Sequence, residues 1–373
     1  MRNTIDRLRD EHTLTAREYK RLLGSAESDD YLHEQARQVT LRSFGNKIYI
    51  RGLIEISNHC RNNCLYCGIR RENRAVERYR MSKAEIMECC TQGFELGFRT
   101  FVLQGGEDPA HSDEWVEDVV KSIRSTFPDC AITLSLGEKS REAYERFYIA
   151  GADRYLLRHE TFNAAHYRSL HPREMSREHR LHCLLWLKDI GYQTGTGIMI
   201  GTRGQTIDNL VDDILFIEQL RPQMIGIGPF IPQHDTPMAN EKAGSTEMTL
   251  KLISIFRLIN PHVLIPATTA LSTLMRNGHE AGIMSGANVV MPNLSPIKDR
   301  DKYRLYDNKA FLKTEAAEGL PLLRRQLAII GYEIATDRGD YKKPPTLPMG
   351  FSHNSVSSNG VRKSGMEGAG RGA

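Results

Sequence analysis

Three cysteines within eight residues constrain this chain more than any other feature. Cys60, Cys64 and Cys67 form a Cys-x3-Cys-x2-Cys motif directly after an apolar stretch of strand-like composition. A closed zinc site takes four ligands, whereas three thiolates suit a 4Fe–4S cluster in which one iron stays free to bind a small molecule. A zinc site completed by His59 or by a distant residue remains the alternative. Three unrelated core cysteines are disfavoured, because the intervening Arg, Asn and Asn are not core residues.

The composition excludes several classes of protein. A formal net charge of +4 with 26% charged residues mixes both signs and does not favour nucleic acid as a partner. The charged N-terminus is not a signal sequence, and no apolar run approaches the roughly 18 residues of a membrane span. Seven cysteines in 373 residues are not a disulfide scaffold. We expect a reducing, cytoplasmic setting, in which four further cysteines are small buried hydrophobes: Cys89, Cys90, Cys130 and Cys183.

From residue 48 onward, an apolar stretch, a loop and an amphipathic helix repeat along the chain. The predicted strands are 48–57, 100–103, 131–136, 154–158, 195–200, 224–228, 262–265 and 288–291. The predicted helices are 82–97, 113–127, 141–150, 162–170, 177–190, 207–220, 246–258, 271–281 and 313–330. About eight strand–helix units predict an α/β fold, a (β/α)8 TIM-type barrel whose reactive loops gather at the C-terminal ends of the strands. A doubly wound open sheet is the alternative, but polar motifs that follow many different strands favour the barrel.

The composition also divides the chain into three parts. Residues 1–45 carry apolar positions at helical intervals and predict an N-terminal helical extension. Residues 46–340 are assigned to the barrel. Residues 341–373 are rich in Pro, Ser and Gly and predict a disordered, flexible tail, because little in them can be buried.

Two polar motifs follow predicted strands. The first consists of Gln104, Gly105, Gly106 and Glu107. Its two glycines let the backbone approach a ligand closely, although such a pair alone is an ordinary turn. In the second, Arg158 and Glu160 put charge at the mouth of a buried strand, where charge must be paired or bind something. A local ion pair is the alternative there. Arg180, near the start of the next helix, is a candidate for a ligand carboxylate or else belongs to a solvated helix face.

Hydroxyl side chains mark two further positions. Thr133 and Ser135 alternate on one predicted strand and therefore share a face. Thr268 and Thr269 follow the seventh predicted strand. All four are ligand candidates if they face the barrel mouth, and hydrogen bonds to nearby backbone are the alternative.

These motifs carry a resemblance to a known family. The cysteine triplet, with Tyr66 before its last cysteine, resembles that of the radical S-adenosylmethionine (SAM) enzymes. A longer set of motifs resembles the FeFe-hydrogenase maturase HydE family, which is related to biotin synthase and methylornithine synthase. The set is SNHCRNNCLYCG at 57–68, YRM at 79–81, LQGGED at 103–108, YLLRHET at 155–161, GIGPFIP at 226–232, PATTA at 266–270 and NVVMPN at 288–293.

The resemblance implies a cluster held by the cysteine triplet, which makes these three residues catalytic through the cluster. The cluster's free iron would chelate SAM, and one electron would cleave SAM to methionine and a 5'-deoxyadenosyl radical. The implied SAM contacts, including the adenine-cradling element around Gly228, are Tyr66, Gln104, Gly105, Gly106, Glu107, Glu160, Arg180 and Gly228.

The substrate implied by the resemblance is an anionic iron–cysteine–CO–cyanide complex, supplied by a partner maturase and attacked by the radical at its sulfur. The implied substrate contacts are Thr133, Ser135, Arg158, Thr268 and Thr269. A ferredoxin or flavodoxin would donate the electron. Because 305–327 contains no cysteine, where some family members carry a second site, we predict a single cluster. A mutase or sulfur-inserting enzyme acting on an amino acid, or a non-catalytic iron–sulfur carrier, remains the alternative.

Overall fold

The computed structural model describes residues 1–307 and 317–342. Its strands are β1 (Lys47–Ile50), β2 (Gly52–Ser57), β3 (Thr100–Gly105), β4 (Ala131–Ser135), β5 (Arg154–Leu156), β6 (Gln193–Ile200), β7 (Met224–Pro229), β8 (Val289–Val290) and β9 (Glu333–Ala335). Its helices are α1 (Arg2–Glu11), α2 (Ala16–Leu23), α3 (Asp29–Phe44), α4 (Lys83–Glu95), α5 (Asp113–Thr126), α6 (Arg141–Ala150), α7 (Ala164–Leu170), α8 (Arg177–Ile190), α9 (Ile207–Leu220), α10 (Thr246–Ile259), α11 (Thr269–Leu274), α12 (Gly278–Met284), α13 (Ile297–Arg300) and α14 (Leu320–Ile329).

The strands pair in parallel and close into a ring. One sheet has the order β2-β3-β4-β5-β6-β7, and the other has the order β8-β1-β9. Isolated parallel bridges join the two sheets: Met224 to Leu264, Pro266 to Val289, and Leu53 to Asn293. We count β1 and β2 as one strand position and the segment around Leu264 as another. Together with β3 to β8, they give the eight strand positions of a (β/α)8 barrel. The predicted fold class is confirmed.

Hydroxyl side chains fix where many of the barrel helices begin. Each accepts a hydrogen bond from the backbone N–H three residues later, which satisfies a donor that the helix leaves open. Ser82 and Thr206, the starts expected from sequence, begin α4 and α9 in this way. The full set is Ser82, Ser112, Ser140, Ser176, Thr206 and Ser245.

Three helices, α1 to α3, precede β1 and pack into the same core as the barrel. Ile5, Leu22 and Leu32 are completely or almost completely buried. Tyr19 donates a hydrogen bond to Glu218 of α9, which ties α2 to the barrel. No helix in the described residues is long and apolar enough to cross a membrane.

The strand predictions need three corrections. The predicted strand 48–57 breaks at Arg51, because β1 pairs with β8 and β9 whereas β2 pairs with β3. The predicted strand 262–265 forms isolated bridges only, at Leu264 and the adjoining Pro266. β9 was not predicted, since three residues carry too little alternation to be recognised.

Two helix predictions also change. The predicted helix 271–281 divides into α11 and α12, where Gly278 packs against the backbone of Leu271 so closely that an added Cβ would lie 2.6 Å away. The predicted helix 313–330 begins partly outside the described residues. Its described part is a 3-10 turn, Ala317–Gly319, followed by α14. The tail prediction falls outside the described residues beyond 342.

A C-terminal segment lies across the N-terminal ends of β5 and β6. The buried guanidinium of Arg154 donates to the Arg338 carbonyl oxygen at 2.8 Å and to the Asp340 carboxylate at 2.7 Å. Gln193 donates to the same carboxylate at 2.9 Å. This base is therefore covered by polar contacts, and the opposite, C-terminal end of the strands carries the polar motifs.

Candidate active site

The cysteine loop runs from the end of β2 to the start of α4, and a partly buried arginine shapes it. The Arg78 guanidinium donates to four backbone carbonyls of the loop, those of Asn58, Ile69, Arg70 and Asn73. An arginine that bonds four carbonyl oxygens fixes the path of the chain around the cysteines. This role could not be predicted from sequence, because the partners of Arg78 are backbone carbonyl groups.

The Gly-Gly-Glu turn after β3 lies directly against the cysteine loop. A Cβ at Gly106 would lie 2.2 Å from the His59 carbonyl oxygen and 2.8 Å from Cys60 Cβ, so only glycine fits. The Glu107 carboxylate accepts from Arg61 Nε at 3.0 Å and from the Glu138 backbone N–H at 2.9 Å. Glu107 is therefore already committed to contacts within the protein, and the turn supports the loop.

The three cysteines are free and partly buried. Burial raises the pKa of each thiol, that of Cys67 to about 12, so the thiols stay protonated until a metal displaces the proton. Among the described residues, no group of three or more His, Cys, Asp or Glu is placed to hold one metal ion. A 4Fe–4S cube makes a different demand, because each cysteine ligates its own iron.

Aromatic and sulfur side chains surround the loop. The Tyr66 hydroxyl lies 3.3 Å from His171 Nε2, and the two rings meet edge to face. Burial lowers the pKa of His171 to about 3, so this imidazole is neutral. Met175 Sδ lies 3.7 Å from Cys64 Sγ. His171 and Met175 belong to the loop after α7 and were not identified from sequence.

Arg158 and Glu160 form the ion pair that the sequence analysis left as an alternative, with 3.3 Å between Nη2 and Oε2. Within the described residues, however, Arg158 Nε and Nη2 and Glu160 Oε2 are buried without a hydrogen-bond partner. Buried polar atoms without a hydrogen-bond partner require an explanation, and a ligand that binds beside them is one such explanation. Glu160 also lies close enough to Cys64 and Cys67 to raise the pKa of both thiols.

Arg180 is buried and does not lie on a solvated helix face. Its Nε contacts Glu138 Oε1 at 2.5 Å, and its Nη1 donates to the Arg158 carbonyl oxygen at 2.9 Å. The guanidinium therefore joins α8 to the end of β5, and two of its donors are already in use. Its partner Glu138 follows β4. It was not identified from sequence, because it lies 42 residues from Arg180 along the chain.

The hydroxyl candidates lie on β4 and around the start of α11. Thr133 Oγ1 and Thr268 Oγ1 are buried and have no hydrogen-bond partner in the described structure. A Cβ at Gly228 would lie 2.8 Å from Thr268 Oγ1, so this glycine borders the same space. Ser135 is half-buried and aligned with Gln104 across the β3–β4 pair, and Thr269 is the first residue of α11.

Two further polar residues lie in or near the barrel interior. Arg51 is buried, and its Nε and Nη2 have no partner among the described residues. Burial and the nearby Arg154 lower its pKa well below the ordinary value. In the sequence, Arg51 stands out as a charged residue within an apolar, strand-like stretch. Tyr303 accepts a 3.4 Å hydrogen bond from Gln104 and had no such signal.

Comparison with known proteins places this site in a family. Residues 54–217 match the model of the radical SAM superfamily. The chain is 45% identical over 315 residues to the [FeFe] hydrogenase maturase subunit HydE of Thermotoga maritima, which covers 84% of this chain and 90% of that protein. The chain belongs to the HydE family of radical SAM enzymes. HydE-family membership makes it an enzyme that uses a 4Fe–4S cluster and SAM.

This HydE-family chain is also similar to other known proteins in sequence or in fold. The 3-methylornithine synthase of Methanosarcina acetivorans is 30% identical over 310 residues, 80% of this chain and 87% of that protein. The crystal structure of methylornithine synthase (PylB) superposes with a TM-score of 0.79 at 27% identity, over 89% of this chain and 97% of that chain. The maturase HydG from Carboxydothermus hydrogenoformans superposes with a TM-score of 0.75 at 22% identity over 89% of this chain and 78% of that chain, which shows a shared fold.

The residues present fit the two groups that the family implies. Three free cysteines stand on one loop, and the glycine turn lets that loop pack without obstruction. Beside it, Glu160 Oε2 and the Nε and Nη2 atoms of Arg158 are buried and make no hydrogen bond within the described residues, although the two side chains face each other as an ion pair. A polar ligand with amino, carboxylate and hydroxyl groups, such as SAM, could use that capacity.

Proposed function

We propose that this protein is a maturase that takes part in assembling the active-site cluster of an FeFe-hydrogenase. The observation that carries the proposal is the 45% identity to a HydE hydrogenase maturase subunit across 84% of the chain. The motifs from the cysteine loop to residue 293 all fall within one barrel, and this supports a shared activity as well as a shared fold.

We infer that Cys60, Cys64 and Cys67 hold the single cluster. When bound, the reduced cluster supplies the electron that cleaves SAM to methionine and a 5'-deoxyadenosyl radical. The residues proposed to orient SAM are Tyr66, Gln104, Gly105, Gly106, Glu107, Glu160, Arg180 and Gly228. Their contributions differ, because Glu107 and Arg180 already donate or accept hydrogen bonds within the protein, whereas Glu160 Oε2 faces Arg158 at 3.3 Å but accepts no hydrogen bond in the described residues. Glu107 therefore acts chiefly by holding the cysteine loop, and Glu160 by accepting hydrogen bonds from SAM.

The proposed substrate is an anionic iron–cysteine–CO–cyanide complex. Arg158 supports this class of ligand, because its Nε and Nη2 atoms are buried without a hydrogen-bond partner in the described residues and can stabilise an anion by forked hydrogen bonds. Thr133 and Thr268 offer buried hydroxyls with no partner in the described part of the chain. Ser135 and Thr269 are proposed as further contacts on the same elements.

The electron donor, the partner proteins, the setting and the domain division belong to the same proposal. A ferredoxin or flavodoxin donates the electron, other maturases supply the complex and receive the product, and the setting is the reducing cytoplasm. No cysteine in 305–327 is available for a second cluster. The division into an extension (1–45), a barrel (46–340) and a tail (341–373) is likewise a proposal.

An amino-acid mutase is the second candidate function. It is favoured by the 30% identity to a 3-methylornithine synthase over 80% of this chain. The α-carboxylate of an amino acid such as lysine can also accept forked hydrogen bonds from Arg158, so Arg158 does not separate the two substrates and the higher identity to HydE decides between them. A non-catalytic iron–sulfur carrier is the weakest candidate, because it has no need for polar groups left unpartnered after several strands.

Substrate discrimination tests the proposal. Anaerobically reconstituted, reduced protein is incubated with SAM and either the organometallic complex, lysine or no addition, and 5'-deoxyadenosine and substrate consumption are measured. We expect consumption of the complex coupled to deoxyadenosine, and none with Cys64→Ala. Consumption of lysine instead would establish the mutase, and a protein that binds iron but never cleaves SAM would be a carrier.

A further inference from the structure

Glu160 has a backbone conformation that is unusual for its residue type. Its φ is 65°, in the left-handed region that glycine adopts readily and glutamate does not. Non-glycine residues stay there only where the surrounding structure holds them. The Glu160 N–H donates to the Gly197 carbonyl oxygen at 3.1 Å, which supplies one such restraint from β6.

A second restraint comes from Asp213, which α9 places outside the barrel wall. Its Oδ1 accepts from the Phe162 backbone N–H at 2.5 Å. The same oxygen lies 3.4 Å from His159 Nε2, a close contact that is not a hydrogen bond. His159 Nδ1 in turn lies 2.8 Å from the Thr196 hydroxyl on β6. One carboxylate thus contacts residues on both sides of Glu160.

This arrangement is fully buried. His159, Asp213 and Thr196 are each 0% exposed. The Phe216 ring covers the His159 imidazole edge to face, with 4.8 Å between ring centroids. Burying a carboxylate this deeply costs free energy unless the carboxylate is paired. Asp213 therefore favours a loop conformation that keeps the Phe162 N–H and the His159 imidazole beside it.

We propose that Asp213 and His159 are positioning residues, a clamp that holds the 159–162 loop so that the Glu160 carboxylate faces SAM. The clamp rests on the proposed role of Glu160. Without the carboxylate of Asp213, the loop can relax toward an ordinary negative φ at Glu160. That relaxation turns the Glu160 side chain away from the cysteine loop while leaving the cysteines in place.

Asp213→Asn tests the clamp, because the amide keeps the shape and removes the charge. Asp212→Asn is the matched control: Asp212 is the preceding residue of α9, is partly exposed, and accepts a 3.4 Å hydrogen bond from the Asn163 side-chain amide. The readout is SAM affinity, measured by titrating SAM into reduced, cluster-loaded protein and following the change in the EPR spectrum. Iron content and thermal unfolding are measured on the same samples.

We expect Asp213→Asn to bind SAM roughly 5- to 30-fold more weakly than the wild type. This range is the free-energy cost of a left-handed backbone conformation, converted to a ratio of dissociation constants. Asp212→Asn should match the wild type, and iron content should be unchanged. In a double-mutant cycle, Asp213→Asn should cause no further loss of SAM affinity once Glu160→Gln is present. Both changes remove the same contact, that of the Glu160 carboxylate with SAM. A purely structural role for Asp213 would give additive losses instead.

Three outcomes would overturn the clamp: additive losses, full SAM affinity in Asp213→Asn, or full SAM affinity in Glu160→Gln. If Asp213→Asn does not fold, Thr196→Val removes the other contact of His159 and must show the same non-additivity with Glu160→Gln. The test reads SAM binding at equilibrium. A wild-type protein that binds SAM but does not act on the complex would refute the proposed function and leave this test intact.

Discussion

Gly106→Ala probes the packing that holds the cysteine loop. The added methyl group would lie 2.2 Å from the His59 carbonyl oxygen, and to reach 3.0 Å that backbone atom must retreat by about 0.8 Å. The second contact, 2.8 Å to Cys60 Cβ, pushes on a cysteine of the motif itself. Overpacking of this kind costs ~1–3 kcal/mol, which corresponds to a roughly 5- to 150-fold smaller population of the native loop.

The assay for this variant is iron and acid-labile sulfide per chain after anaerobic reconstitution with limiting iron. Gly106→Ala should load far less cluster than the wild type while unfolding thermally at a similar temperature. Gly226→Ala is the matched control, because the nearest atom to its added methyl group is 3.8 Å away. If Gly106→Ala loads iron as fully as Gly226→Ala, the turn does not support the loop and the reasoning is wrong.

Three further changes have defined outcomes. Cys64→Ala should abolish both cluster loading and SAM cleavage, which iron analysis and a deoxyadenosine assay check. Arg158→Ala should load the cluster normally but turn over the complex at least roughly 10-fold more slowly, because charge-assisted hydrogen bonds to the anion are lost; normal turnover would remove Arg158 from the site. Burial raises the pKa of Asp108, but hydrogen bonds from Arg80 and Ser57 outweigh it and lower the pKa to about 2. Its stabilisation, about 2 kcal/mol, should therefore be present above pH ~4 and lost as pH falls toward ~2. Urea unfolding of the apoprotein should show the gap between wild type and Asp108→Asn closing over that range, and a gap independent of pH would contradict the assignment.

The barrel could be predicted because local signals agree with the global fold. Apolar stretches alternate with amphipathic helices, and hydroxyl residues such as Ser82 and Thr206 stand where helices begin. The break at Arg51 could not be predicted, since it arises from a change of pairing partner between β1 and β2. The segment around Leu264 has strand-like composition, but it forms isolated bridges only.

The motifs name the candidate polar groups of the site, but they do not indicate the partners of these groups. Arg180 and Glu138 are 42 residues apart in sequence, and nothing in either segment indicates the ion pair that joins them. Arg78 bonds carbonyl oxygens, which every residue carries. Asp213 lies in a helix whose other charged residues suggest a solvated face, although its carboxylate is fully buried. Long-range pairing of this kind depends on the folded barrel and not on local pattern.

The central claim is that the cysteine loop and the polar groups beside it form a SAM-cleaving site. EPR spectra of the reduced, reconstituted protein with and without SAM, followed by a deoxyadenosine assay of the same sample, test it most directly. The account predicts a 4Fe–4S signal that SAM perturbs, together with deoxyadenosine. A protein that loads zinc in place of the cluster, or a cluster signal indifferent to SAM with no deoxyadenosine formed, would contradict it.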